Sequence, residues 1–179
     1  MNNKEELVKF SKDFITGQLT QPITYLYGNG NNGKKTLINM LIELAKENNI
    51  KSVKTRGEDL MAVFDYAGYD VRYIIIDDPP VDYLIKNQAV LKQLTGKDTI
   101  CRDISRYFIE EPHADDLINP QVLKKFTGDD TLFVPNINFI FISNDMFDYN
   151  KYDKAFLKRI KIITMDGYYT KNDFVQWLS

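Results

Sequence analysis

The residues with the clearest chemical meaning are nine consecutive ones, 28–36, which read Gly-Asn-Gly-Asn-Asn-Gly-Lys-Lys-Thr. An apolar, strand-like run over residues 23–27 precedes them, and a helical pattern begins at Leu37. Glycines at such a turn expose backbone amides to an anion, and the dipole of the following helix strengthens the attraction. We therefore expect this stretch to be a phosphate-binding loop, or P-loop, that holds the phosphates of ATP.

Two lysines decide how that loop would work. Lys34 follows the last glycine, where a P-loop has the lysine that contacts the phosphates. The next position should be Ser or Thr, whose hydroxyl binds Mg²⁺, but Lys35 stands there and Thr36 follows it. ATP and Mg²⁺ are the expected cofactors, and Lys35 counts against tight Mg²⁺ binding and against turnover. The alternative is a Gly/Asn turn that carries lysines without a ligand. The predicted nucleotide-binding residues are Gly28, Asn29, Gly30, Asn31, Asn32, Gly33, Lys34, Lys35 and Thr36.

Polar residues also follow two other apolar runs. Asp77 and Asp78 come after residues 71–76, and Asn144 comes after residues 138–143. Hydrolysis of a phosphoanhydride needs a metal ligand and a group that orients water, and we assign these roles to Asp77 and Asp78. Asn144 is predicted to contact the γ-phosphate or the attacking water. The alternatives are a solvated Asp-Asp-Pro-Pro turn and a turn-forming asparagine.

Arg159 completes the set of predicted catalytic residues, which are Asp78, Asn144 and Arg159. It stands just before the last strand-like run, residues 160–165, where it could reach the nucleotide of a neighbouring subunit as an arginine finger. The alternative is a surface arginine in a basic patch with Lys154, Lys158 and Lys161.

Strands and helices alternate along the chain, and the strands are solid apolar runs. This pattern, with the P-loop, predicts an α/β fold, a three-layer P-loop NTPase with a mostly parallel central sheet flanked by helices. In such sheets ligands bind at the carboxyl ends of the strands, which is where the polar residues above lie. Helices are predicted at residues 3–16, 36–47, 58–66, 83–94, 154–158 and 170–178, and strands at 23–27, 52–55, 71–76, 138–143 and 160–165.

The chain has 179 residues, of which 44% are hydrophobic, so it can form a single core. We assign residues 1–22 to an N-terminal helix that packs on the domain or contacts another subunit. Residues 23–179 are the predicted ATPase core, with an irregular insertion over residues 95–135.

Composition excludes several classes of protein. There is no apolar run of about 18 residues, so we expect no membrane span. The lone Cys101 and the lone His113 exclude a disulfide framework and the usual histidine-rich zinc sites. A net charge of −2 gives no overall basic surface for nucleic acid. The polar N-terminus is unlike a secretory signal, and we expect an intracellular protein.

The ordered set of motifs resembles the superfamily 3 helicases of viruses and plasmids, a branch of the AAA+ ATPases. The P-loop is especially similar to that of the poxvirus-type primase–helicases and their phage and plasmid relatives. Residues 139–144 resemble that family's motif C, whose asparagine is the sensor, and residues 153–160 resemble the segment with the arginine finger. Residues 91–98, followed by Arg102 and Tyr107, resemble the stretch that leads into the family's DNA-contacting β-hairpin.

The resemblance implies a replication helicase that hydrolyses ATP and forms a ring, a hexamer, with ATP sites between subunits. It also implies that Lys97, Arg102 and Arg106 face single-stranded DNA in the channel, with salt-sensitive and non-specific binding. The alternative for these three residues is ordinary surface charge. In a bacterial host such a protein would be cytoplasmic.

Two other functions stay open at this point. The chain could be a nucleotide-binding regulatory or assembly subunit with little hydrolysis, for which Lys35 is the argument. It could also be a P-loop kinase of a small molecule, against which stand Asn144 and Arg159 in the order of a motor protein.

Overall fold

The computed structural model describes residues 3–67, 70–96, 100–103, 130–133 and 136–179. The helices are α1 (Asn3–Ile15), α2 (Lys34–Glu47), α3 (Leu60–Ala67), α4 (Tyr83–Lys86), α5 (Gln88–Leu94), α6 (Lys154–Leu157) and α7 (Lys171–Leu178). The strands are β1 (Ile23–Gly28), β2 (Ser52–Thr55), β3 (Tyr73–Asp77), β4 (Ile100–Asp103), β5 (Asp130–Phe133), β6 (Asn138–Ser143) and β7 (Ile160–Met165). Within these ranges, no helix has both the length and the apolar composition that crossing a membrane requires.

Five strands form one sheet in the order β2-β3-β6-β1-β7, and every neighbouring pair is parallel. The register sets Leu26 of β1 beside Ile142 of β6 on one side and Ile163 of β7 on the other. Because all five strands run the same way, their carboxyl ends meet at one edge of the sheet. The predicted α/β class with a parallel central sheet is confirmed.

Helices cover both faces of the sheet, which explains why its three inner strands, β1, β3 and β6, are solid apolar runs. Alternate residues of one strand enter different cores: Ile74 and Ile76 face one side, and Ile75 faces the other. The first core is closed by α3, α4, α5 and α6, and the second is closed by α1, α2 and α7. The chain therefore folds into three layers, as predicted.

Helix α1 is part of the second core. Leu7, Phe10 and Phe14 are buried, and the ring of Phe14 stacks on Tyr73 of β3 with 4.2 Å between ring centroids. The Tyr73 hydroxyl donates a hydrogen bond of 2.7 Å to the carbonyl of Phe14. Burial raises the pKa of Tyr73 to about 12, so this donor keeps its proton. Packing on the domain is one of the two roles expected for α1, and a contact between subunits stays a prediction.

The single helix expected over residues 83–94 is two short helices in the structure. Asn87 separates α4 from α5, and its side-chain amide donates to the carbonyl of Tyr83 at 2.8 Å. A short polar side chain that bonds to nearby backbone competes with helical hydrogen bonds, which accounts for the break.

A separate antiparallel pair, β4 with β5, lies within the region predicted to be an insertion. Cys101 is the backbone partner of Leu132 in this pair. Residues 104–129, which make up most of the predicted insertion, lie outside the described residues.

Phe14→Ala tests whether α1 is integral to the fold. We expect the free energy of unfolding to fall by about 3–5 kcal/mol, because a fully buried aromatic ring is removed from the core. Urea unfolding followed by circular dichroism measures the change. Tyr168→Ala, at a side chain that is 79% exposed, is the matched control and should have little effect. Equal stability of the two variants would show that α1 contributes nothing to the core.

Candidate nucleotide-binding site

The polar residues predicted at strand ends come together at the carboxyl edge of the sheet. Strand β1 ends at Gly28 and the P-loop leads directly into α2, while Asp77 ends β3 and Asn144 follows β6. Because β6 lies between β1 and β3, Asn144 stands between the P-loop and Asp77. The topology thus makes one site of three separate stretches of sequence.

Glycine is required at two of the three glycine positions in the P-loop. A Cβ on Gly28 would lie 2.1 Å from the Asn32 amide nitrogen and 2.5 Å from the carbonyl of Met165. Gly33, with a φ of 94°, would place a Cβ 2.4 Å from the carbonyl of Tyr169. Gly30 would meet nothing within 4 Å. The two outer glycines therefore fit the loop tightly against the end of β7 and the chain that follows it.

The side chain of Asn32 holds the P-loop in place from within. It is buried, and its amide nitrogen donates to the carbonyl of Met165, the last residue of β7, at 2.7 Å. Its amide oxygen accepts from the Lys34 ammonium at 3.1 Å. Its neighbour Asn31 is exposed and has a φ of 62°, a left-handed conformation that asparagine tolerates. The sequence marked Asn32 as a loop residue but gave no sign of this connecting role.

The ammonium of Lys34 is the most buried charge of the loop, with the residue only 5% exposed. It donates to the carbonyls of Gly28 and Asn29 and to the side-chain oxygen of Asn144, the last two at 2.9 Å. Burial lowers the pKa of Lys34, while the charge of Asp78 opposes that shift. A charged phosphate oxygen is a stronger acceptor than these neutral oxygens and would compete for the same donors.

A cavity of about 430 Å³ lies over the P-loop, within the usual size range of small-molecule sites. Tyr169, which the sequence analysis did not predict, is part of its wall. The Tyr169 amide donates to the carbonyl of Asn32 at 3.3 Å, and its ring packs on Trp177. The available signal was its place after β7, since loops at carboxyl ends surround ligands in parallel sheets. The cavity is lined by Gly30, Asn31, Asn32, Gly33, Lys34, Lys35, Thr36, Asn144 and Tyr169.

Two lysines face the carboxylate of Asp77, which is 3% exposed. The Lys35 ammonium lies 3.3 Å from Oδ1, and the Lys54 ammonium lies 3.2 Å from Oδ2. Lys54 also donates to the side-chain oxygen of Asn39 on α2 at 3.0 Å. In the described part of the chain, Asp77 Oδ1 accepts no hydrogen bond, so Lys35 meets it as an ion pair alone. Sequence reasoning missed Lys54, because nothing local marks β2 as the neighbour of β3.

Asp77 was predicted to bind a metal, and its surroundings test that prediction. Hard divalent cations take several oxygen ligands, whereas this carboxylate faces two ammonium groups, and Lys35 has no oxygen to offer. Within the described ranges, no group of three or more His, Cys, Asp or Glu is placed to hold a metal ion. The donor set does not fit a divalent cation in this arrangement, and binding of Mg²⁺ stays a prediction.

Asp78 adopts a left-handed backbone conformation, with a φ of 55°, directly after β3. Its amide donates to the carbonyl of Ile142 in β6 at 2.9 Å, which fixes the turn, and its side chain is exposed. Residues in such sparsely populated conformations cluster at functional sites. Its assigned role in orienting water stays a prediction.

Arg159 lies at the opposite edge of the sheet. Its carbonyl accepts from the amide of Ile23, the first residue of β1, so about 16 Å of strand separates it from its own P-loop. Its guanidinium donates to the carbonyl of Lys92 at the end of α5 and lies 3.5 Å from the Thr95 hydroxyl. The structure does not bring Arg159 to the site of its own chain, and a role at a neighbouring subunit stays a prediction.

Of the predicted DNA-binding residues, Arg102 lies in the described part of the chain: it is in β4, where Thr131 of β5 is its backbone partner. Lys97 and Arg106 lie outside the described residues.

No protein-family model matches the chain, and no curated protein matches it. Among solved structures it is similar to the NrS-1 C-terminal region in its A form, apo state, with a TM-score of 0.49 and 13% sequence identity. That likeness covers 97% of the present chain and 42% of the other, so this chain spans about two fifths of the length of its structural neighbour.

Gly28→Ala and Gly30→Ala test the tight fit of the P-loop. We expect Gly28→Ala to lower the free energy of unfolding by about 1–3 kcal/mol, because its methyl group would press on Asn32 and on backbone. Gly30→Ala should stay within about 0.5 kcal/mol of the parent, because the space around Gly30 is open. Urea unfolding of both variants measures the difference, and equal losses would contradict this description of the loop.

Proposed function

We propose that the chain binds a nucleoside triphosphate, with ATP as the expected ligand, in the cavity over the P-loop. The observation that carries this proposal is the buried Lys34 ammonium at the first turn of α2, beside Asn144 and the wall of the cavity. A concentrated positive charge and a helix N-terminus at a glycine-rich loop are complementary to phosphate. The cavity also has room for part of a nucleotide.

We further propose that this module is the ATP-hydrolysing motor of a ring-forming helicase in viral, phage or plasmid replication. Asn144, Asp77 and Asp78 at one edge support it, since hydrolysis needs such groups around the γ-phosphate. Arg159 lies at the other edge, so its proposed role as an arginine finger requires a second copy of the chain in a ring. Such a motor would need Mg²⁺, which the present arrangement at Asp77 does not fit, and single-stranded DNA would be its partner through Lys97, Arg102 and Arg106.

One observation favours a second candidate function, a nucleotide-binding regulatory or assembly subunit with little hydrolysis. Lys35 and Lys54 face the carboxylate oxygens of Asp77, the residue on which a motor would depend for its metal. Steady-state ATP hydrolysis, with and without single-stranded DNA, separates the two functions. Turnover stimulated by DNA favours the motor, and ATP binding without turnover favours the second candidate.

Lys34→Ala is the direct test of ATP binding. We expect the affinity for ATP to fall about tenfold or more, because a charge-assisted contact to phosphate is lost. Isothermal titration calorimetry measures the affinity, and circular dichroism confirms that the variant is folded. Lys46→Ala, at an exposed lysine near the other end of α2, is the control and should bind as the parent does. Unchanged affinity in Lys34→Ala would exclude the P-loop as the binding site.

Arg159→Ala tests whether Arg159 acts on the nucleotide of a neighbouring subunit in a ring. In a hydrolysing assembly we expect turnover to fall about a thousandfold, with ATP affinity nearly unchanged, because a finger acts on the transition state. Loss of the contact with the Lys92 carbonyl should also lower the free energy of unfolding by about 1.5–3 kcal/mol. Lys158→Ala, at the exposed neighbouring residue, controls for general loss of charge.

An equal fall in ATP affinity and in turnover would contradict the role of Arg159 as an arginine finger and would make it a structural residue. Size-exclusion chromatography with and without ATP accompanies this test. A monomer under every condition would count against the ring.

A further inference from the structure

The position that follows the P-loop lysine holds a cation of the chain's own. Lys35 lies in the first turn of α2, and its side chain is 52% exposed along the wall of the cavity. From there its ammonium reaches Asp77 Oδ1, 3.3 Å away. One side chain thus spans from the cavity to the acidic end of β3, the same two places that a bridging metal ion would connect.

A second cation fixes the other half of the same carboxylate. Lys54 projects from β2, the strand paired with β3, and its ammonium is shared between Asp77 Oδ2 and the side-chain oxygen of Asn39. Two cations thus flank Asp77, because Lys54 forms an ion pair with Oδ2 at 3.2 Å and Lys35 forms one with Oδ1 at 3.3 Å. The buried Oδ1 accepts no hydrogen bond among the described residues, so its contact with the Lys35 ammonium is an ion pair alone.

The charges at this edge suit a polyanion better than a divalent cation. Lys35 and Lys54 both face Asp77, so two ammonium groups stand against one buried carboxylate, while the Lys34 ammonium is bonded to neutral oxygens. A divalent cation beside Asp77 would be repelled by the two ammonium groups already there. A triphosphate would be attracted by the same groups, since a lysine ammonium is a compact charge with three donors.

We propose that Lys35, supported by Lys54, takes the place of the divalent cation, so that the chain binds a nucleoside triphosphate without Mg²⁺. This inference rests on the proposed binding of ATP at the P-loop. Lys35 shares its donors between Asp77 and the phosphate oxygens, as a bridging ion would. It supplies charge but no Lewis acid, so the substitution favours retention of the nucleotide over its hydrolysis.

The test is the affinity of the intact 179-residue chain for ATP, measured by titration calorimetry in EDTA and in excess Mg²⁺. We expect the parent to bind at least as tightly in EDTA as in Mg²⁺. Lys35→Thr restores the hydroxyl of the usual P-loop, and its affinity should fall about tenfold in EDTA and recover when Mg²⁺ is added. Lys46→Thr, at the exposed lysine of the same helix, should behave as the parent in both buffers.

The possible outcomes separate this inference from the proposal on which it rests. A parent chain that binds ATP only in Mg²⁺ overturns the inference and leaves the proposed function standing. Equal affinities of the parent and Lys35→Thr in EDTA also overturn it. A parent that binds ATP in neither buffer contradicts the proposed function, and the inference fails with it. Lys35→Arg retains the charge and should retain binding in EDTA, and loss of EDTA binding in a folded Lys35→Arg would also overturn the inference.

Discussion

The burial of one ammonium group determines the shape of the loop around it. A charge removed from water needs oxygen acceptors nearby, and Lys34 finds them in the carbonyls of Gly28 and Asn29 and in the side chains of Asn32 and Asn144. Those acceptors converge only if the loop curls tightly back on itself. The tight curl in turn excludes a side chain at Gly28, where a Cβ would strike the Asn32 amide.

The parallel sheet connects this tightly curled loop to the rest of the chain. Asn32 ties the P-loop to Met165 at the end of β7, and Asn144 joins it to the end of β6. Strands β6 and β7 are the two neighbours of β1, so the loop is held from both sides by the strands that flank it. Burial of both faces of the sheet fixes the relative heights of these strand ends, and hence the positions of the polar groups.

The structural features that depend on the local sequence pattern could be predicted from the sequence. Strands over residues 138–143 and 160–165 have the predicted bounds: β6 is a solid apolar run buried along its whole length, and β7, a partly buried edge strand, is marked by its β-branched residues. The break at Asn87 is subtler, since one side-chain hydrogen bond divides a continuous helical pattern. Strand order could not be predicted from the sequence, because the position of β6 between β1 and β3 depends on packing between residues far apart in sequence. The contact of Lys54 with Asp77 depends on that order as well, so composition and spacing could not reveal it.

A buried carboxylate at the end of a strand needs a cation, and a chain can meet that need in two ways. It can leave the carboxylate open to a metal ion, which makes the site depend on the ion that arrives with the nucleotide. It can also supply lysines from neighbouring elements, as α2 and β2 do for Asp77. The second arrangement stabilises the folded chain without a ligand, because an unpaired buried charge is strongly destabilising. Lys35 stands where a P-loop usually has Ser or Thr, and Lys54 lies on β2. Together these two lysines provide the positive charge that the buried carboxylate of Asp77 needs.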